Sequence, residues 1–265
     1  MREEKHTIIV DGLQLWGRSC RPDRETREKN GGTPLLILCH GIPAAALPKK
    51  ADSNEPDGGY HSLADRCLQD GYAVFHFNFR GTGESEGNFD MEGWRRDLTG
   101  VLDYWEKQGE DSFLIWGFSA GAAVSGCVAA QDPRVKGLIM AAAPAEFFSL
   151  FPPQGQQLLL DRMRQRGIIR DPLFPVDPAR WLQQIYATSP LLFIKNVAPR
   201  PLLIIHGSQD ELIHTRHAFQ LYKQAGPTAH LIILPGAKHQ LRRHPPAIAK
   251  SLQWLAGTVE RLEDS

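Results

Sequence analysis

The sequence predicts an α/β fold: a mostly parallel central sheet with helices on both faces, opened by an antiparallel N-terminal hairpin. Three observations carry that expectation. From residue 35 onward, short apolar runs alternate with helix-length stretches, a pattern that builds a parallel sheet covered on two sides. Ahead of them, residues 7–20 alternate apolar and polar about Asp11-Gly12, a pair suited to a tight hairpin turn. Finally, the apolar run Phe113-Leu114-Ile115-Trp116 empties into Gly117-Phe118-Ser119-Ala120-Gly121, a G-x-S-x-G turn followed by small residues that can form a helix.

Taken in order, the hairpin is followed by a charged, glycine-ended loop over 21–33. Strands are expected near 35–39, 73–77, 112–116, 136–142, 201–206 and 230–234. Helices are expected near 60–70, 91–107, 119–130, 212–225 and 244–262. Two segments interrupt the alternation. The first, 42–59, is rich in Pro, Ala, Lys and Asp. The second, 145–190, reads as a small insertion of two or three helices, or a simple loop-helix excursion, within a single domain spanning 1–265. Its apolar residues can cover the sheet, shape a substrate site, or divide between the two tasks.

A serine at a strand-to-helix junction is lifted clear of the sheet, and the helix behind it aims backbone N–H groups at developing negative charge. Ser119 is therefore a candidate nucleophile. Such a serine needs a base, and the base needs an orienting acid. The apolar run Pro201-Leu202-Leu203-Ile204-Ile205-His206 empties into a loop bearing Asp210, and Leu231-Ile232-Ile233-Leu234 empties into one bearing His239. The gap between the two fits one helix and one strand, placing both side chains at one edge of a parallel sheet. Ser119, Asp210 and His239 are the predicted catalytic residues.

With these motifs in sequence, the chain resembles the α/β-hydrolase superfamily, and more narrowly its esterase, dienelactone-hydrolase and serine-aminopeptidase-like branches. His40-Gly41 follows the strand Leu35-Leu36-Ile37-Leu38-Cys39, as the family's oxyanion loop does. Phe79-Arg80-Gly81-Thr82-Gly83-Glu84-Ser85 resembles a glycine-rich turn common among these hydrolases. The resemblance covers roughly 33–145 and 190–260. It implies an α/β-hydrolase fold, an oxyanion hole from the backbone N–H groups of Ile42 and Ala120, and a cap at 145–190. It also implies a serine hydrolase acting on a small-molecule ester-like substrate, with peptidase or thioesterase as alternatives on the same triad. A non-catalytic ligand-binding relative is a further alternative. His40, Phe118, Phe147 and Phe148 are candidates for the substrate pocket. Glu146, just after the strand near 136–142, marks the other place where the superfamily sometimes carries its acid.

The remaining features narrow the classes. Thirty basic and thirty acidic residues cancel, so no nucleic-acid or acidic-membrane partner is indicated. The pairs Lys49-Lys50 and Arg242-Arg243 are expected to be solvated surface. No apolar stretch is long enough to cross a bilayer and no secretion signal is evident, so a cytoplasmic location is expected. Cys20, Cys39, Cys67 and Cys127 lack metal-type spacing and are expected to be free thiols. No metal or organic cofactor is implied: Gly81, Gly83 and Gly87 do not follow dinucleotide spacing, and His239 with His244 is not a zinc-protease pair. His206 is expected to be structural, Glu211 to face away from the site, and His214, His217 and His244 to be surface or satisfied side chains. Arg80 is expected to anchor its own loop. Oligomeric state is not legible.

Overall fold

The structure is a computed structural model that describes residues 2–22, 33–43 and 59–263. Most of the segment 42–59 lies outside the described residues, as does the pair Lys49-Lys50. The hairpin strands β1 (Arg2–Val10) and β2 (Leu13–Arg21) turn at Asp11 and Gly12, whose φ values of 52° and 78° are both in the left-handed region. Two consecutive left-handed residues give the turn a twist that matches paired strands. The hairpin is longer than the alternation over 7–20 suggests, because the exposed first half of β1 pairs with β2 as far as Arg2 and Arg21.

The alternating units follow: β3 (Leu35–Cys39), α1 (Tyr60–Gln69), β4 (Val74–Phe77), α2 (Met91–Lys107), β5 (Phe113–Phe118), α3 (Ala120–Ala129) and β6 (Val135–Ala141). Then come α4 (Gln156–Gln165) and α5 (Pro178–Ala187), followed by β7 (Leu202–Gly207), α6 (Arg216–Ala225), β8 (Ala229–Leu234) and α7 (Pro245–Glu263). The strands form one eight-stranded sheet in the order β1-β2-β4-β3-β5-β6-β7-β8. β1/β2 and β2/β4 pair antiparallel, and every other neighbouring pair is parallel. From β3 the chain crosses to β4 on one side and then to β5 on the other. That reversal opens a crevice at the carboxyl ends of β3 and β5, where sheets of this kind bind ligands.

Successive side chains of a strand point to opposite faces, so fully apolar strands feed two cores. Leu35, Ile37, Phe113, Ile115, Leu138, Met140, Leu202 and Ile204 pack on one face with α2, α3 and α6. Leu36, Leu38, Leu114, Trp116, Ile139, Leu203 and Ile205 pack on the other with α1 and α7. Asp90 caps α2 by accepting the Glu92 N–H at 3.2 Å, and Asp177 caps α5 by accepting the Arg180 N–H at 3.0 Å. Each such cap is worth about 1 kcal/mol.

The segment 145–190 holds two α-helices, and most of its apolar residues belong to the core. Leu159, Leu160, Met163, Trp181, Leu182 and Ile185 are buried against the α2 and α3 face, and the Trp181 indole donates to Phe89 O at 3.1 Å. Helix α6 begins four residues later than the pattern suggests. The Asp210 carboxylate accepts the N–H groups of Leu212 and Ile213, which holds the intervening residues in a turn. All four cysteines are free and buried. Among the described residues no helix is long and apolar enough to cross a membrane.

Candidate active site

Ser119 stands between the end of β5 and the first residue of α3, with φ 53° and ψ −125°. A non-glycine residue at that φ is strained by about 1–3 kcal/mol and persists only where its surroundings hold it. Here the Ser119 N–H donates to Ala141 O at 2.9 Å, and its own carbonyl accepts the Ala122 N–H at 3.0 Å. The small residues around the turn are required by close approach. A Cβ at Gly121 would lie 2.2 Å from His40 O, and one at Gly41 would lie 2.8 Å from Ser119 Cβ. The serine turn and the loop after β3 are therefore seated directly on each other. Ala120 opens α3, so its N–H is among those a helix start leaves without an intrahelical partner.

The two downstream loops meet at the same edge. His239 Nδ1 lies 2.8 Å from Asp210 Oδ2 and 3.0 Å from Oδ1. The Asp210 side chain is fully buried and accepts two backbone N–H groups, from Leu212 at 2.9 Å and Ile213 at 2.8 Å. A second imidazole approaches it from behind. His206, fully buried on β7, places Nε2 3.2 Å from Asp210 Oδ2 and 2.7 Å from Ile213 O. A carbonyl can only accept, so His206 carries its proton on Nε2 and donates. Burial alone would raise the Asp210 pKa. Donation from His206, His239 and the Ile213 N–H outweighs it and holds the carboxyl well below the usual carboxylate range. With Nδ1 committed to a carboxylate, the His239 Nε2 is the nitrogen left for proton transfer.

His40 serves the loop that opposes the serine. Its Nε2 accepts the Phe79 N–H at 3.1 Å, so the proton sits on Nδ1, which donates to Gly41 O at 2.7 Å. The turn after β4 is thereby tied to the loop after β3. That turn is itself anchored by Arg80, which donates to Asp97 Oδ1 through Nε and Nη2 and to Asp11 Oδ2 through Nη2. Its backbone N–H also reaches Asp97 Oδ2 at 2.8 Å. Removing one partner of such a buried pair costs about 3–5 kcal/mol.

A cavity of about 570 Å³ opens at this edge of the sheet, and Ser119, His239, His40, Ile42 and Phe118 all line it. Asp210 lies behind His239 rather than on the cavity wall. Phe147 and Phe148 are not part of that wall: Phe147 is buried in the core and Phe148 is 59% exposed. From the same segment, Leu150 and Phe151 line the cavity instead. The helical turn that follows Ala145 carries the chain past the first two phenylalanines before it reaches the wall. Glu146 is occupied by the N–H and hydroxyl of Ser149 and is not on the wall. Glu211, expected to face away, lines the cavity and accepts the His239 N–H at 3.2 Å.

Arg242 and Arg243, expected to be plain surface, also border the cavity, with the Arg242 guanidinium 5.2 Å from the centre of the Tyr60 ring. Arg162 of α4 and Arg166, which caps its C-terminus, join them. His76, on β4, completes the polar wall, and burial pushes its imidazole down to about 3. Among the described residues no group of three or more His, Cys, Asp or Glu could hold a metal ion.

Residues 34–181 match the family model of the α/β-hydrolase fold, and the chain belongs to that family. The YfhR protein of Salmonella typhi is 27% identical over 176 residues, which cover 63% of this chain and 54% of that protein. The chain thus spans about half the length of that bacterial relative. Mouse mitochondrial palmitoyl-protein thioesterase ABHD10 is 22% identical over 251 residues, covering 87% of this chain and 77% of the thioesterase. Among solved structures, the Pyrococcus furiosus esterase Pf2001 superposes with a TM-score of 0.69 at 17% identity, over 98% of this chain and 93% of the esterase.

Proposed function

We propose that this protein is a serine hydrolase of carboxylic esters with small or medium acyl groups, acting through an acyl-enzyme on Ser119. The observation that carries the reading is the His239 Nδ1 contact with the buried Asp210 carboxylate, at the cavity into which the strained Ser119 turn opens. An esterase and a thioesterase among the similar proteins support it.

In this reading His239 Nε2 takes the Ser119 hydroxyl proton as Oγ attacks the ester carbonyl. The Asp210 carboxylate holds the imidazole in the required tautomer and stabilises the imidazolium. The N–H groups of Ala120 and Ile42 donate to the oxyanion, each worth about 3 kcal/mol of barrier. His239 then protonates the leaving alkoxide, and water repeats the sequence on the acyl-enzyme. The chemistry so written consumes no cofactor. A thioester is a second substrate class, favoured by the likeness to the mouse thioesterase along most of the chain.

The test is labelling with a fluorophosphonate beside turnover of p-nitrophenyl acetate, butyrate and octanoate and of an acyl thioester. Labelling and turnover should both disappear in Ser119→Ala. A wild-type protein that neither labels nor turns over any of them overturns the reading in favour of a ligand-binding role.

A further inference from the structure

The cavity wall is not neutral. Four arginines line it, Arg162, Arg166, Arg242 and Arg243, against a single carboxylate among the described residues, Glu211. Arg162 lies in the last turn of α4 and Arg166, four residues on, caps its C-terminus in helical conformation, so the two share a face. Neither has a carboxylate partner among the described residues. Asp161, the acid nearest in sequence, is engaged by Gln157 and lies 3.7 Å from Arg164. Arg166 is half-buried, and both its burial and the neighbouring Arg162 charge push its pKa down. Among the described residues, two guanidiniums thus share the edge of the cavity with no carboxylate paired to either. The rest of the wall is largely apolar, with Phe118, Leu150, Phe151, Leu212 and Ile213 among its members.

We infer that the substrate is an ester carrying an anionic group, a carboxylate or a phosphate, on an otherwise apolar body, and that Arg162 and Arg166 bind that group. The inference rests on the serine-hydrolase reading of the same site. A guanidinium presents paired N–H donors that match the oxygens of either anion, and two on one helix face can share it. The pair would also raise the local concentration of anionic esters at the cavity mouth. Bound there, the anion supplies a counter-charge to Arg162 and Arg166 while the ester carbonyl reaches Ser119.

The experiment compares kcat/KM for a matched series of p-nitrophenyl esters: the hexanoate, the hydrogen adipate, the corresponding ω-phosphonate, and an ω-trimethylammonium analogue. Each is measured in the wild type, in Arg162→Gln/Arg166→Gln and in Arg164→Gln. Wild type should favour an anionic ester over the hexanoate by about tenfold, through KM, and disfavour the cationic one. The double variant should bring the anionic-to-neutral ratio close to one, whereas Arg164→Gln, outside the cavity wall, should keep it. The better of the adipate and phosphonate esters identifies the anion. Should the double variant not fold, salt decides: sodium chloride should lower kcat/KM for the anionic ester and spare the hexanoate. Equal turnover of all four esters in wild type overturns the inference and leaves the hydrolase reading intact. An anionic preference that survives in the double variant overturns the assignment to these arginines. Absence of both turnover and fluorophosphonate labelling sinks the hydrolase reading itself, a result distinct from the other two.

Discussion

The turn that carries Ser119 and the segment 145–190 border the same cavity but are built on opposite terms. Around Ser119 the backbone does the work: a left-handed serine, glycines in contact with a neighbouring carbonyl, and a loop locked by His40. In 145–190 two ordinary α-helices carry the segment and the side chains make the difference. Leu159, Leu160 and Met163 anchor α4 in the core while Arg162, within it, and Arg166, at its C-cap, face the cavity. The difference teaches where change can be tolerated. A turn defined by atoms in contact has no slack, whereas a helix held by its buried stripe can exchange its other residues freely.

The largest effect should come from breaking the rigid side of that comparison at its centre. Ser119→Ala should lower kcat by a factor on the order of 10⁶, measured by burst-free ester hydrolysis with the fold checked by circular dichroism. Asp210→Asn should follow at roughly 10⁴, because the amide no longer holds His239 in its working tautomer. Gly121→Ala tests the seating itself. Its methyl would meet His40 O, and a loss of about 2 kcal/mol in urea unfolding is expected, with slower acylation. An unchanged midpoint would show that the two loops can separate without cost.

On the permissive side, Phe151→Ala should leave Ser119 reactive toward the fluorophosphonate while shifting the acyl-length optimum by a few-fold in KM. The smallest effect concerns acidity. His76 is neutral when folded, with its pKa near 3, and is protonated more readily in the unfolded chain, near 6.5. Stability from this group is complete above about pH 6.5 and declines as pH falls toward 3, since the unfolded state then binds the extra proton. Thermal midpoints measured between pH 7 and 4 should fall, and less steeply in His76→Phe.

Much of this was legible in the residues. Apolar runs marked every parallel strand to within two residues, since strands buried on both faces carry few polar positions to blur them. Ser119, Asp210 and His239 could be placed because each sits where such a run ends. What escaped the sequence depended on which side of a helix faces which surface. Spacing shows that Arg162 and Arg166 share a face but not that this face looks onto the cavity. Likewise the start of α6 was hidden, because Asp210 closes a local turn over 212–213 with the same carboxylate that serves His239, and periodicity does not show such a turn delaying the helix.

The four thiols have a practical side. Burial drives the Cys20 thiol up to about 11 and those of Cys39 and Cys127 up to about 12, with Cys67 also raised. Thiols so far from ionisation at neutral pH are nearly silent toward alkylating dyes. A Leu158→Cys change, at a position 55% exposed on α4, would therefore take a fluorophore without competition from native thiols. The chain arrives already prepared as an optical reporter, in which light from one engineered site shows whether α4 stays still when a ligand fills the cavity beside it.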